Sequence, residues 1–228
     1  MTDAPAHDPI GELLAVQRHY YDLRAPDYMN VNRPSDRRVR GLLASWQAER
    51  LVERFGPAGD VLELACGSGA FTGRLVRHAR TLTAVDGSAR MLELNRGVVA
   101  DSRVEYVCAD LFDWKPPRRF DAVFFGFWLS HVPPPRFESF WSMVAACLQP
   151  GARVGFVDED DRGRVLEAHL TNGSVPTARR ILGDGRQFDI VKVFWDPSEL
   201  RGRLGELGWE ATIERVGDHH LYGTAWLA

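Results

Sequence analysis

Three carboxylates stand at regular intervals in the first half of this 228-residue chain: Glu63, then Asp86 after 23 positions, then Asp110 after a further 24. Each closes or follows a short apolar run, Val61 to Ala65, Leu82 to Val85 and Val104 to Cys108, of the kind that forms a buried strand. The first run empties into Cys66-Gly67-Ser68-Gly69, a turn whose glycines allow backbone angles and ligand approach that a Cβ would block. A GxG turn after a strand is first of all a candidate pyrophosphate cradle. Two residues speak against that use. Thr72 stands where the dinucleotide pattern requires Gly or Ala, and Glu63 would set a negative charge beside two phosphates. Beside an ammonium or sulfonium group the same carboxylate is attractive, so the turn fits a cationic ligand. Asp86, at the second strand end, suits a bidentate hold on two ribose hydroxyls. Asp110, followed by Leu111 and Phe112, suits an amine donor beside apolar walls for a purine. Any one of these aspartates alone reads equally as a solvated loop residue; three in phase with three strands favour one shared rim.

Such a rim needs parallel strands with their C-terminal ends along one edge. From Asp60 the pattern supplies them: helix-like segments at Gly69 to Ala79, Ser88 to Val99 and Pro135 to Leu148 alternate with the three strands above and with Phe120 to Phe125 and Ala152 to Val157. Alternation of this kind predicts parallel βαβ units in an α/β sheet with right-handed crossovers. Two amphipathic helices precede it, about Pro9 to Leu23 and Ser35 to Phe55, joined by a loop from Asp22 to Tyr28. After Asp158 the rhythm stops for about 35 residues, longer than a connection needs. That stretch is polar, with a helix-like piece at Arg162 to Leu170 and strand character from Phe188 to Trp195. A helix at Pro197 to Leu207 and a strand at Trp209 to Val216 follow. The Gly217-Asp218 turn into His219 to Leu227 predicts a hairpin, so the last strand runs antiparallel. The expected division is a helical cap over 1–56 and a core over 57–228, with a lid-like insertion at about 159–190.

Composition narrows the partners. With 28 basic and 31 acidic residues the net charge is −3, and no field of one sign marks nucleic acid or an anionic membrane as the target. Cys66, Cys108 and Cys147 are odd in number, lack CxxC spacing and sit in apolar surroundings, which predicts buried free thiols. Met1 to Ile10 has no basic or apolar signal region, and no apolar run approaches the ~20 residues of a membrane span. These features predict a cytoplasmic protein, monomer or homodimer. No HxH, HxxxH or DxH cluster offers convergent metal ligands.

The residues from Glu63 to Gly69 (Glu-Leu-Ala-Cys-Gly-Ser-Gly), from Ala84 to Ser88 (Ala-Val-Asp-Gly-Ser) and from Cys108 to Phe112 (Cys-Ala-Asp-Leu-Phe) resemble the first three motifs of the class I S-adenosylmethionine-dependent methyltransferases. Phe120-Asp121-Ala122-Val123 resembles the fourth-strand motif, and Leu148 to Ala152 the turn before strand five. The resemblance covers about residues 20–228. It implies a Rossmann-like, seven-stranded, mostly parallel sheet in order 3-2-1-4-5-7-6, with the antiparallel last strand that the hairpin requires. It also implies S-adenosylmethionine as cofactor. Carried over by position, Glu63, Gly67 and Gly69 approach the methionine part and Asp86 the ribose. Met91 packs near the adenine, Asp110 meets its amino group and Phe127 lies beside the sulfonium, with Ala65, Gly87 and Leu111 flanking these contacts. Tyr20 and Tyr28 resemble N-terminal aromatics that cover the cofactor, with Tyr21 nearer the acceptor; plain packing is the alternative for all three.

Methyl transfer is an in-line displacement that asks a protein for alignment and exclusion of water, and for a base only when the nucleophile holds its proton tightly. His131, just beyond the fourth strand, is the candidate base, since an imidazole near pKa ~6.5 suits proton removal at neutral pH; a purely hydrogen-bonding role is the alternative. His219 or His220, Glu159, Trp128 and Trp195 are candidate acceptor contacts, with Phe188 and Phe194 as further apolar walls. Asp160 and Asp161 extend the acidic segment after strand five. Arg33, Arg37, Arg38 and Arg40 form a solvated helix face or, turned inward, a site for an acidic or phosphorylated acceptor. The expected function is methyl transfer to a small-molecule acceptor on oxygen, hydroxyl or carboxyl. A small-molecule N-methyltransferase and a non-catalytic S-adenosylmethionine-binding partner protein are the alternatives, and a nicotinamide-dependent dehydrogenase is weakened by Thr72 and Glu63.

Overall fold

The computed structural model describes residues 8–28, 46–167, 169–171 and 173–228. Helix α1 covers Pro9–Arg24 and α2 Trp46–Phe55. The alternating core follows as β1 (Asp60–Leu64), α3 (Thr72–Leu75), β2 (Thr81–Asp86), α4 (Ala89–Val99), β3 (Val104–Cys108), β4 (Phe120–Gly126), α5 (Phe137–Cys147) and β5 (Leu148–Glu159). Three short strands come next, β6 (Leu170–Thr171), β7 (Thr177–Ile181) and β8 (Gln187–Val191), then α6 (Pro197–Glu206), β9 (Trp209–Val216) and β10 (His220–Leu227).

The main sheet has the order β3-β2-β1-β4-β5-β10-β9. β1 to β5 are parallel, and β10 lies antiparallel between β5 and β9. With β9 and β10 as the sixth and seventh strands of that sheet in chain order, this is the expected Rossmann-like arrangement 3-2-1-4-5-7-6. Alternation along the central strands sorts side chains to two faces. Leu62, Leu64, Val123 and Phe125 join Trp141 of α5 and Leu200 of α6 in one cluster. Val61, Ala122 and Phe124 join Val52 and Phe55 of α2 and Leu75 of α3 in the other. α2 lies close on the sheet because Gly155 leaves room: a Cβ there would come 2.7 Å from Phe55 Cδ2.

Several expectations need correction. The helix expected over Gly69 to Ala79 shrinks to the four residues of α3. Gly73 sits within it, and the chain beyond closes three-residue turns, Arg77 N–H to Arg74 O at 3.3 Å and His78 N–H to Leu75 O at 3.0 Å. The loop expected from Asp22 is helical to Arg24 and continues as a 3₁₀ turn, Ala25–Asp27. Of the helix expected from Ser35, only Trp46–Phe55 is described, and the run from Arg33 to Arg40 lies outside the described residues. In the insertion, the helix-like piece expected at Arg162 to Leu170 is a 3₁₀ turn, Asp161–Leu166, and β6, β7 and β8 form their own antiparallel sheet. Ile190 of β8 packs with Tyr20 of α1 and Leu182, so α1 and this small sheet stand together over the strand ends. Cys108 is exposed, whereas Cys66 and Cys147 are buried free thiols. Among the described residues no helix is long and apolar enough to cross a membrane.

Candidate active site

The ends of β1, β2 and β4 open into one cavity. Glu63, the penultimate residue of β1, lines it and is 2% exposed. Its Oε2 is buried and has no hydrogen-bond partner, and burial, with Asp86 nearby, pushes its carboxyl up to about 8. Beyond it the backbone enters the left-handed region twice, at Ala65 (φ 51°) and Gly67 (φ 50°). Gly67 can hold that conformation without strain, and the space where its Cβ would project is open. Ala65 cannot, and strain at a non-glycine residue marks sites that the surrounding structure holds for a purpose. Asp86 locks the turn: Oδ2 accepts from Gly67 N–H at 2.9 Å and Oδ1 from Ser88 N–H at 2.8 Å. Asn95 of α4 holds it from behind, donating to Gly67 O at 3.2 Å and Thr72 Oγ1 at 2.8 Å. A buried acceptor atom without a partner, beside open space over a glycine, is the counterpart of a ligand ammonium. These residues therefore fit the amino-acid end of S-adenosylmethionine, whose ammonium would favour the ionised form of Glu63.

Gly87, Met91, Asp110 and Leu111 continue the lining. Asp110 Oδ1 accepts from Phe112 N–H at 3.0 Å, while Oδ2 meets the Arg18 guanidinium of α1. The stem of Arg18 runs over Gly87, where a Cβ would come 3.1 Å from Arg18 Cδ. Asp22 of the same helix accepts from Ser88 Oγ at 2.9 Å. α1 thus covers the β2 and β3 side of the crevice.

The other end is built by α1, the segment after β4 and β8. His131 lies in a 3₁₀ turn, Leu129–His131, and is buried. Its Nδ1 faces the Val191 carbonyl at 2.8 Å, and its Nε2 faces the Tyr21 hydroxyl at 2.9 Å. A carbonyl only accepts, so Nδ1 carries the proton and Nε2 accepts from Tyr21. Burial and then Lys192 push the imidazole down to about 3. In this arrangement His131 is an acceptor that orients Tyr21, its proton affinity held low by burial. Gln17 ties the same elements together: Nε2 donates to His131 O at 3.3 Å and Oε1 accepts from Val191 N–H at 3.0 Å. Lys192, 3% exposed, donates to Ser130 Oγ at 3.1 Å and pairs with Glu159. Arg180 pairs with Glu167 through two bonds, one at 2.6 Å and one at 3.0 Å.

Tyr21, Tyr28, Ala65, Phe127, Trp128 and Glu159 line the cavity with the residues above. Phe127 is in the left-handed region at φ 57°, which turns the chain sharply out of β4. Seven expected residues fall elsewhere, among them Phe188, packed with Ile190 and Leu182, and Phe194, which lies against Gly163. Tyr20 turns away from the cavity toward Phe188, with ring centroids 5.6 Å apart; Tyr21, its neighbour on the helix, faces in. Gly69 lies under α4, where a Cβ would meet Asn95. Trp195 is core, packed on Phe137 at 5.2 Å. His219 and His220 do not reach the cavity; the His220 ring rests edge-on against the outer side of Phe127 at 5.7 Å. Gln17, Arg18, Asn95, Arg180 and Lys192 were not foreseen. Only Lys192 carried a signal, as a lone cation in the apolar run Ile190-Val191-Lys192-Val193.

Comparison with known proteins agrees with this geometry. A family profile described as a methyltransferase domain matches residues 61–151. The solved structure of a DhpI–SAH complex is 41% identical, covers 94% of this chain and 97% of its own, and superposes with a TM-score of 0.80. A methyltransferase of Mycobacterium bovis, itself uncharacterised, is 30% identical over 77% of this chain and 89% of its own length. The ubiquinone biosynthesis O-methyltransferase of Klebsiella pneumoniae is 28% identical over 95% of this chain and 83% of its own. Glycine turn, carboxylate row, sheet order and relatives together show that the chain belongs to the class I S-adenosylmethionine-dependent methyltransferases, with S-adenosylmethionine as its methyl donor.

Proposed function

We propose that this enzyme methylates an oxygen atom of a small molecule held between α1, the segment after β4 and the β6–β8 sheet. The observation that carries the reading is that Tyr21, His131, Arg180 and Lys192 line the same cavity as Glu63 and Gly67. The acceptor's place is thus walled by the chain's own α1 and insertion, which suits a metabolite better than a polymer. The name of the Klebsiella relative, an O-methyltransferase of ubiquinone biosynthesis, supports oxygen over nitrogen.

When bound, S-adenosylmethionine supplies an electrophilic methyl group. Glu63 would ionise and pair with its ammonium, and the turn from Ala65 to Gly67 would hold the methionine chain. Asp86 keeps lone pairs for the ribose hydroxyls. Met91 and Leu111 would flank the adenine, and Asp110, now paired with Arg18, would accept from its amino group. Phe127 closes the approach to the sulfonium. Tyr21, held by His131, and Tyr28 orient the acceptor, and α1 excludes water, the alignment and desolvation that such a displacement needs.

Incubation with methyl-labelled S-adenosylmethionine and separate sets of small hydroxylated compounds, acids and amines tests this reading. Label is expected in an ester or ether; label confined to amines would establish N-methylation instead.

A further inference from the structure

Asn95 of α4 and Thr72 of α3 are both fully buried, and a chain of hydrogen bonds runs through them in one direction toward Glu63. Tyr106 of β3 begins it, its hydroxyl donating to Asn95 Oδ1 at 3.1 Å. The Asn95 amide then donates to Gly67 O at 3.2 Å and to Thr72 Oγ1 at 2.8 Å. A carbonyl only accepts, so Gly67 O fixes which end of the amide faces the turn, and with it the donation to Thr72. Both amide hydrogens are then in use. The Thr72 hydroxyl, having accepted, keeps one hydrogen of its own, and the Glu63 carboxyl takes it. Burial raises the Glu63 pKa, and this bond opposes the rise. Glu63 Oε2 is still without a partner. Gly69 belongs to the same arrangement: a Cβ there would come 2.7 Å from Asn95 Oδ1 and 3.2 Å from Val99 Cγ2. The second glycine of the turn is therefore bare to seat Asn95, not to admit the ligand.

We propose that Asn95 is a positioning residue for cofactor binding: it points the Thr72 hydroxyl at Glu63, so that the carboxylate keeps one fixed protein partner and offers its free oxygen to the cofactor's ammonium. The inference rests on the assignment of Glu63 to that ammonium. A hydrogen bond aimed at a carboxylate favours the ionised form, which is the form the ammonium needs. Without the amide the Thr72 hydroxyl has no fixed direction, and its oxygen turned toward Glu63 would oppose ionisation.

The readout is the affinity of the enzyme for S-adenosylhomocysteine, measured by titration calorimetry between pH 6 and 8.5. The titratable groups facing Glu63 are Asp86 at the end of β2, the Cys66 thiol beyond β1 and Tyr106 of β3, and all three stay in place in every variant. In the wild type, affinity is expected to rise with pH and to level off near 8, where Glu63 ionises. Thr72→Val keeps the shape and removes the hydroxyl. It is expected to bind about tenfold more weakly at pH 7 and to be still rising at 8.5, the equivalent of one pH unit. Thr72→Ser, which keeps the hydroxyl, is expected to follow the wild-type curve. Asn95→Ala should shift the curve in the same sense as Thr72→Val, yet cost less than threefold in the Thr72→Val background, because it acts through that hydroxyl. A Thr72→Val curve that still bends near 8, or a loss equal at every pH, overturns the proposal. So do losses from Asn95→Ala and Thr72→Val that simply multiply. The two Thr72 variants decide the matter even where Asn95→Ala does not fold. Glu63→Gln separates premise from proposal. Undiminished affinity with an unchanged curve would show that Glu63 does not meet the ammonium, whereas a flat, weakened curve there beside an unshifted one in Thr72→Val removes the role of Asn95 alone.

Discussion

Glu63 shows how one side chain can be readable in kind and unreadable in state. Its type and place before Gly67 point to a cationic ligand, because charge sign follows from residue identity. Its burial, which raises the carboxyl from 4.5 to about 8, depends on the α3 and α4 packing around it and has no local signature. The consequence is testable. At neutral pH the free enzyme holds Glu63 mostly protonated, and an arriving ammonium favours the ionised form, so binding expels a proton. Titration calorimetry of S-adenosylhomocysteine at pH 7, in buffers of different ionisation enthalpy, is expected to show release approaching one proton. Affinity should rise between pH 6.5 and 8. Glu63→Gln keeps the shape, removes the proton release and weakens binding by about 1.5–3 kcal/mol, the worth of a charged hydrogen bond. His131 is the opposite case. Position after the fourth strand suggested a base, but the Val191 carbonyl and Lys192 that set its tautomer and proton affinity come from 60 residues away. Sequence spacing carries no information about either.

At the level of elements, legibility follows the range of the forces involved. β1 and β2 each carry four consecutive buried residues because both sheet faces are covered there, and their pattern is local; β3, expected as a buried strand, lies at the sheet edge with Glu105 and Cys108 exposed. The β9–β10 hairpin is fixed by its Gly217-Asp218 turn. Of the β6–β8 sheet only β8 was legible, as strand character from Phe188; β6 and β7 showed only as a break in rhythm, since they are short and mostly polar. Helix α1 itself was legible, but not which of Tyr20 and Tyr21 faces the cavity, as that depends on the rotation set by Tyr20 against Ile190 and Leu182. Gln17, 2% exposed, is the joint between these elements. Gln17→Leu strands a buried N–H at Val191 and a buried carbonyl at His131, each costing about 1–3 kcal/mol. A drop in Tm of several degrees is expected in a chain of this size. Hydrogen exchange should speed up in α1 and β8 and stay unchanged in β9 and β10; a uniform change would show that Gln17 contributes only to general packing.

Across the whole molecule, the buried titratable groups at the two ends of the cavity shape the pH dependence of stability in opposite directions. Glu63 has a raised folded pKa, so its contribution is complete below 4.5 and is lost as pH climbs through about 8. Burial raises Asp86 in the same direction. His131 has a lowered folded pKa, so the unfolded chain binds the extra proton, and stability is lost as pH falls from 6.5 toward about 3. Between 4.5 and 6.5 the two slopes, each up to about 1.4 kcal/mol per pH unit, offset one another. Thermal melts of the ligand-free enzyme are therefore expected to show a plateau there and a fall on both sides. The alkaline fall draws on Glu63 and Asp86 at the cofactor end and on buried Asp158 beside the acceptor end, and the acid fall on His131, so a cofactor-site ligand should remove the share of Glu63. S-adenosylhomocysteine at a hundred times its Kd adds about 2.7 kcal/mol. By holding Glu63 ionised it should also flatten the alkaline limb and leave the acid limb in place. His131→Gln should do the reverse. If S-adenosylhomocysteine raised Tm by the same amount at every pH from 5 to 8.5, Glu63 would not be the group that meets the donor's ammonium, and the assignment of the cofactor end would fail.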